Sequence, residues 1–561
     1  MRDRSWRLGI GSWEFYVGFV LFALAATANG AGYRYGTSDQ AFYIPVVVRA
    51  LNPAAFPHDA SLIDSQGRLM LSDEIAAGIV RVTGLPLDWL FFAAYLLSLL
   101  LIWIAITAIG RRLFASTWLT VAFAAAMTLR HRIPSTTANS FEPYFHPRML
   151  AFSLGAIAVA AVLRRRFALA VALVAVSGLI HVTTGLWFAV MLGVAIARLD
   201  AQWRRLATAG AVSAAALVIW AGVSGPLRSS FVTMDAKWLE AVAGKDLFAW
   251  EWPAWSWVSN LGLIVVAWAA YRWKESRPEL GAIVWGAAAL IGVFLVSFPL
   301  VRAKFALPVQ LQISRIFWLV DFVTVICLIG VVRRERTAKI VAAILVAVAA
   351  VRGVYVMTVE HPERALVAVH LPASDWDDAM KWIKAQNIDT HVLADPGHSW
   401  KYGTSVRVAA ERDVFLEEVK DAAIAIYSRD VALRYLDRQR EMPRFDQMSV
   451  GRARELALVY DLDYLQEKWG RWAEPLGVCR FAYGAQQLQV SLHSRGAIHR
   501  SPTKAQLHRA VTFLFVPARF SGQILKVLAV KPAGIDRDLR FGSSTQQAKY
   551  RLSGCFSKDV P

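Results

Sequence analysis

Cysteine is nearly absent, with three residues in 561. So few thiols give no disulfide framework. Cys327 falls in an apolar run, which leaves Cys479 and Cys555 to pair if both face an oxidising compartment. No HExxH or CxxC spacing occurs, so no short motif announces a metal centre. No cofactor is indicated, and a divalent metal held by Asp39, Asp59, Glu142, His146 or His181 stays open. Acidic residues are also scarce, 42 against 61 basic ones, for a net charge of +19. In a soluble chain that balance would point to nucleic acid. Here much of the basic charge sits in short loops between apolar runs, where it sets membrane topology, and nucleic acid is set aside as a partner.

Apolar residues are what the chain has in excess. They make up 56% of it, against roughly 45–50% in a soluble protein. They concentrate before residue 360, in runs near 15–31, 87–110, 113–129, 149–163, 167–181, 183–198, 206–223, 256–272, 280–298, 315–332 and 340–357. Runs of this length suit a bilayer core, and the shorter ones suit tilted or re-entrant pieces. The 22 tryptophans fit the same class, since indoles favour membrane interfaces. The first run follows Arg2, Arg4 and Arg7 and reads as a retained helix.

Charge orients the runs. With the N-terminus in the cytoplasm, the inner turns carry Arg111-Arg112, Arg164-Arg165-Arg166, Arg198 with Arg204-Arg205, Arg272 with Lys274 and Arg277, and Arg333-Arg334-Arg336 with Lys339. Every inner turn is short and basic, the positive-inside pattern. An odd number of passes leaves the C-terminal part outside. The expected fold is a mainly α membrane protein of about eleven transmembrane helices followed by a small periplasmic α/β domain. The expected divisions are a membrane domain at 1–358 with a first outer loop at 32–86, a periplasmic domain at 359–493 and a basic tail at 494–561. The expected location is the inner membrane of a bacterium.

Four outer loops then collect the polar chemistry. The first carries Arg34, Asp39, Gln40, Tyr43, Arg49, His58 and Asp59, and its SDEIAAGIVRVTG stretch (72–84) predicts an interfacial helix capped by Ser72. The second, RHRIPSTTANSFEPYFHPR (130–148), carries Arg130, His131, Arg132, Glu142, His146 and Arg148. The third holds Asp235, Lys237 and Trp250, Trp252 and Trp255, read as an interfacial aromatic belt. Arg315 stands at the mouth of the tenth run, and His181 at the turn between the fifth and sixth. A carboxylate near the surface suits proton abstraction from a hydroxyl, or a metal that holds a phosphate. Guanidinium groups suit phosphate oxygens. Asp321 lies inside the tenth run, and Arg352 is its expected ion-pair partner.

In architecture, residues 1–360 resemble the GT-C superfamily of membrane glycosyltransferases. The shared features are a large outer loop after the first helix, about a dozen spans and a C-terminal outer domain. The resemblance implies a polyprenyl-phosphate or -diphosphate sugar as donor and a periplasmic glycan, lipid or protein as acceptor. The lack of a Gly-rich nucleotide loop agrees with a lipid-linked donor. It implies Asp39 as the first-loop catalytic acid, Glu142 as a later one and Arg315 as the phosphate-facing arginine. Arg148, Tyr43 and Gln40 join the candidate substrate-binding set, with Asp59, His146 and His181 in support. The alternatives are a lipid or solute transporter, with Asp321 and Arg352 lining its path, and a non-catalytic scaffold.

From Ser374 the pattern turns soluble. Residues 375–387 read as a helix, 390–396 as a strand ending in an Asp-Pro-Gly turn, and 405–415 as a strand. Residues 417–440 read as one long helix, with further strands at 456–466 and 479–492. Beyond 494 the chain is basic with little periodicity apart from TFLFV at 512–516.

Overall fold

The computed structural model describes residues 12–67, 70–244, 247–273, 277–442 and 444–468, together with three short backbone strands at 476–480, 514–516 and 525–527. The expected pairing of Cys479 with Cys555, most of the 479–492 strand and most of the basic tail lie outside the described residues.

In chain order the helices are α1 (Trp13–Asn29), α2 (Gln40–Leu51), α3 (Ala60–Gly67), α4 (Ser72–Thr83), α5 (Leu87–Leu113), α6 (Thr117–Thr128), α7 (Pro147–Val162) and α8 (Phe167–Ile180). Then come α9 (Val182–Leu199), α10 (Ala201–Val223), α11 (Ala236–Ala241), α12 (Ala254–Trp273), α13 (Pro278–Arg302), α14 (Ala306–Gln310), α15 (Ile316–Val331) and α16 (Glu335–Tyr355). The last are α17 (Asp375–Lys384), α18 (His398–Tyr402), α19 (Val406–Ala409), α20 (Glu418–Ile424), α21 (Arg429–Glu441) and α22 (Val450–Tyr460). Each of the eleven apolar runs falls on one of these helices. Among the described residues seven helices, at 87–113, 182–199, 201–223, 254–273, 278–302, 306–331 and 335–360, are long and apolar enough to cross a membrane. α1, α2, α6, α7 and α8 are apolar but shorter. This is a mostly helical, multi-pass membrane protein.

The chain divides into two compact units. The first comprises residues 1–35, 67–370 and 426–428, and holds the apolar helices. Its core is built of close helix contacts where small residues face large ones. Gly155 of α7 lies against the Phe188 ring of α9, and Gly286 of α13 against the Met191 carbonyl of α9. α10 and α16, in contrast, expose Leu206, Leu217, Trp220, Ile344 and Val351, an apolar surface that suits lipid.

The two ends of this first unit differ chemically. At the end where α7 finishes, Arg112 Nε donates to the Leu163 carbonyl, Arg164 to the Ala108 carbonyl, and Arg165 to Glu279. At the end where α7 starts lie Glu142, His146 and Arg148.

The second unit comprises 36–66, 371–425 and 429–561. Its sheet has the order β4-β3-β5-β6-β8-β7, with β3 (His391–Leu393), β4 (Asp413–Val414), β5 (Tyr464–Lys468), β6 (Leu476–Arg480), β7 (Leu514–Val516) and β8 (Leu525–Val527). β3 pairs in parallel with β4 and β5, while β5 and β6 run antiparallel. A separate pair, β1 (Tyr33–Arg34) with β2 (Val367–Ala368), belongs to the first unit.

These boundaries differ from the expected ones. Residues 36–66 of the first outer loop group with the C-terminal unit, because α2 packs on α19 and Asp59 is buried there. The 405–415 segment is not one strand. Ser405 accepts from the Arg407 N–H and starts α19, and only Asp413–Val414 pairs in the sheet. The expected 417–440 helix is two, α20 and α21. The 456–466 stretch begins as α22, which ends at Asp461 in a left-handed conformation (φ 54°) before β5. α4 forms as expected, but Ser72 is its first residue and not its cap.

Candidate functional site

The richest cluster in the first unit grows from the segment between α6 and α7. A hairpin forms first. Arg132 bridges Asn139, the Ile133 N–H donates to the Ala138 carbonyl, and Ser135 and Thr137 turn the tip with positive φ. Asn260 of α12 donates to the Pro134 carbonyl at 2.9 Å and fixes that tip. The chain then runs through Phe141–Arg148 with every residue buried.

Glu142 is the hub. Its carboxylate accepts from Asn139 Nδ2 at 3.1 Å and from Arg148 at 3.3 Å, with Arg130 at 3.6 Å. Its side chain is 5% exposed and that of Arg148 3%, so the pair is desolvated. A buried charge persists only when it is paired. The Arg148 guanidinium also lies 5.6 Å from the Trp318 ring centre, and its Nε has no hydrogen-bond partner among the described residues.

Two histidines cap helices beside this pair. His146 Nδ1 accepts from the Arg148 N–H at 3.0 Å at the start of α7. His181 Nδ1 accepts from the Thr184 N–H at 3.3 Å at the start of α9. A ring whose Nδ1 accepts carries its proton on Nε2 when neutral. The rings are 6.1 Å apart, and His181 lies within electrostatic range of His146, Arg148 and Arg315. Next to them, Tyr95, Ser98, Phe141, Glu142, Tyr144 and His146 line a small cavity with room for about one water molecule. The cluster therefore combines three guanidinium groups (Arg130, Arg148 and Arg315), two helix N-termini and one carboxylate. Helix N-termini and arginines both favour an anion.

The other expected site residues lie in the second unit. Asp39 precedes α2, and its Oδ1 accepts from Lys420 Nζ at 2.8 Å. Lys420 is buried and stands 4.9 Å from the Phe42 ring, while the Asp39 side chain is 30% exposed. Gln40 is fully buried, and its Oε1 accepts from the Gly36 N–H at 2.6 Å, so it braces the Gly36 turn. Tyr43 is buried in the same helix.

Asp59 is wholly buried. It receives Arg407 Nε at 2.7 Å, pairs with Arg434 and lies 3.7 Å from Arg438. Burial alone would raise its pKa, and the three arginines outweigh that and hold it far below the usual carboxylate range. Asp413 receives the backbone N–H groups of His58 and Asp59, and its pKa is pushed up to about 7 by burial and by the Asp59 charge. Nothing in sequence spacing marks Arg407, Arg434 and Arg438 as partners of a residue more than 300 positions away.

Asp321 does not pair with Arg352. It bonds His131 Nδ1 at 2.7 Å, and Arg352 pairs with Glu360 at 3.0 Å on its own helix end. The tryptophans of the third loop are not a simple belt, since Trp252 is buried and stacks on Phe294. The Asp395-Pro396-Gly397 stretch is a turn closed on itself, with Asp395 accepting from the Gly397 N–H and pairing with Lys401.

No protein-family model and no curated protein matches this chain. Its chemistry therefore rests on the geometry above. Among the described residues, no three His, Cys, Asp or Glu side chains gather as a metal site.

Proposed function

We propose that this protein is a membrane glycosyltransferase of the GT-C type, moving a sugar from a polyprenyl-phosphate or -diphosphate carrier to a periplasmic glycan, lipid or protein. In this reading all eleven apolar helices cross or enter the inner membrane of a bacterium, with the N-terminus cytoplasmic. The arginine-rich end faces the cytoplasm, and the Glu142 end faces outward. The second unit is then periplasmic.

The observation that supports the reading is the buried cluster of Arg148, His146 and His181 around Glu142, within range of Arg315, in a bundle whose outer faces suit lipid. A lipid phosphate needs such a set, with donors for its oxygens and a helix bundle open to the bilayer. In the reaction, an acceptor hydroxyl oxygen attacks the anomeric carbon and the bond to the phosphate oxygen breaks. The arginines hold the phosphate as it leaves with the bonding pair, and a carboxylate takes the hydroxyl proton. Asp39 and Glu142 are the carboxylates assigned to that chemistry. Glu142 is engaged by Arg148, and Asp39 by Lys420, so each is held in one orientation by a cation.

Phosphate recognition is tested by binding. The full chain in lipid nanodiscs is titrated with a fluorescent polyprenyl phosphate and with the uncharged polyprenol. Saturable binding of the phosphate is expected, weakened roughly tenfold or more in Arg148→Ala or Arg315→Ala, as loss of a charged hydrogen bond implies. Equal binding of phosphate and polyprenol by the wild type would remove the reading.

A further inference from the structure

The His131–Asp321 pair lies outside the Glu142 cluster, and its geometry is informative by itself. His131 Nδ1 is 2.7 Å from Asp321 Oδ2, and His131 Nε2 is 3.1 Å from the Ala126 carbonyl. A carbonyl oxygen only accepts, so Nε2 carries a proton. The Nδ1–Oδ2 contact needs a second proton, on the ring or on the carboxyl. If the pair lost one proton, either Nδ1 would turn its lone pair on the carboxylate, or Nε2 would turn its lone pair on the Ala126 oxygen. One of the two bonds would be lost in either case.

From this geometry we infer that His131 and Asp321 form a proton-binding site in the membrane unit, which pins the hairpin leading to Glu142 while it holds its exchangeable proton. The site's ligand is the proton, and its side chains are 21% and 14% exposed. The mechanical link is short. The His131 backbone N–H donates to Ser140 Oγ at 2.7 Å, the Ser140 N–H donates to the His131 carbonyl, and the neighbouring Asn139 donates to Glu142. Asp321 anchors this root to α15.

Few other charges face the pair. α6 has none, and α15 has only Asp321. Among the helices packed on α15, α9 and α12 carry only Arg198 and Arg272 near their C-terminal ends, and α13 only Glu279 and Arg302 near its termini. Of the helices packed on α6, α16 carries Glu335, Arg336 and Lys339 near its start and Arg352 near its end, α1 carries Glu14 in its first turn, and α5 carries Asp88 in its first turn and Arg111 and Arg112 in its last. Arg315 precedes α15, and Arg130 is engaged by Glu142. Burial would lower the His131 pKa, and the hydrogen bond and charge of Asp321 outweigh it, so the ring keeps its proton above the usual 6.5. The stabilisation is therefore complete below about 6.5 and is lost as pH rises through the folded value. The site needs no substrate, so it stands or falls apart from the transferase reading.

The test is hydrogen exchange of the 129–142 segment in the full chain in nanodiscs, from pH 5.5 to 9, corrected for the intrinsic pH dependence of exchange. Wild type should lose protection roughly tenfold across one step, the size expected for one charged hydrogen bond. His131→Gln and Asp321→Asn should each give low protection with no step. A purely structural contact would lower protection equally at every pH. No step in the wild type, or an unchanged step in either variant, would overturn the site.

Discussion

At the scale of single residues, Asp59 is the side chain on which the second unit most depends. Its carboxylate takes Arg407, Arg434 and the Val414 N–H with no exposure to water. Removing one partner of such a set leaves buried charge unpaired, at about 3–5 kcal/mol. Asp59→Asn should therefore unfold the second unit at markedly lower temperature or denaturant, while Arg49→Gln, which breaks the more exposed Arg49–Asp64 pair, should shift it little. Thermal unfolding followed by limited proteolysis measures both. Equal effects from the two variants would show that Asp59 is not the anchor. In the sequence Asp59 reads as a support for catalysis because it stands among polar loop residues. The sequence does not reveal the anchoring role, because the arginines that neutralise the carboxylate are far along the chain. Asp321 teaches the same point, since an acid inside an apolar run is legible as important but its partner is not. The histidine caps of α7 and α9 were legible only as polar residues at helix boundaries, and capping depends on ring orientation.

At the scale of elements, helix packing in the membrane unit depends on glycines at close crossings. A Cβ on Gly286 would stand 2.1 Å from the Met191 carbonyl of α9, a backbone atom that cannot rotate away. A Cβ on Gly292, on the same helix, would meet nothing within 4 Å. Gly286→Ala should cost about 1–3 kcal/mol through overpacking, and Gly292→Ala should be neutral or slightly stabilising, as expected for alanine in a helix. Melting temperatures in one detergent decide the comparison, and equal shifts would refute the close α9–α13 crossing. The eleven apolar runs were readable from hydropathy and each lies on a helix, but only seven of those helices have the length that a bilayer demands, and the apolar α2, inside the first outer loop, was not legible as a run. The soluble elements were less readable. The VRVA of 406–409 alternates like a strand, and one serine cap was enough to make it a helix. In α22, LALVY reads equally as a strand or a helix, and its capped start at Ser449 decides the matter.

At the scale of the whole molecule, the site residues expected from the sequence belong to two bodies. Glu142, His146, Arg148, His181 and Arg315 belong to the membrane unit, and Asp39, Gln40, Tyr43 and Asp59 to the second unit. The segment 36–66 is thus membrane-loop sequence by position and second-unit sequence by packing, which no hydropathy pattern distinguishes. The proposed function is the transfer of a lipid-linked sugar, with Asp39 or Glu142 as the carboxylate that takes the hydroxyl proton. It is tested most directly in proteoliposomes holding a polyprenyl-phosphate or -diphosphate sugar with labelled sugar, supplied with an extract of periplasmic glycans, lipids and proteins. Wild type should move label out of the carrier, and Asp39→Asn and Glu142→Gln should not, when each is compared at equal amounts of inserted, folded protein. Wild-type turnover by either variant would contradict its assigned role, and no wild-type transfer from either carrier would contradict the transferase itself.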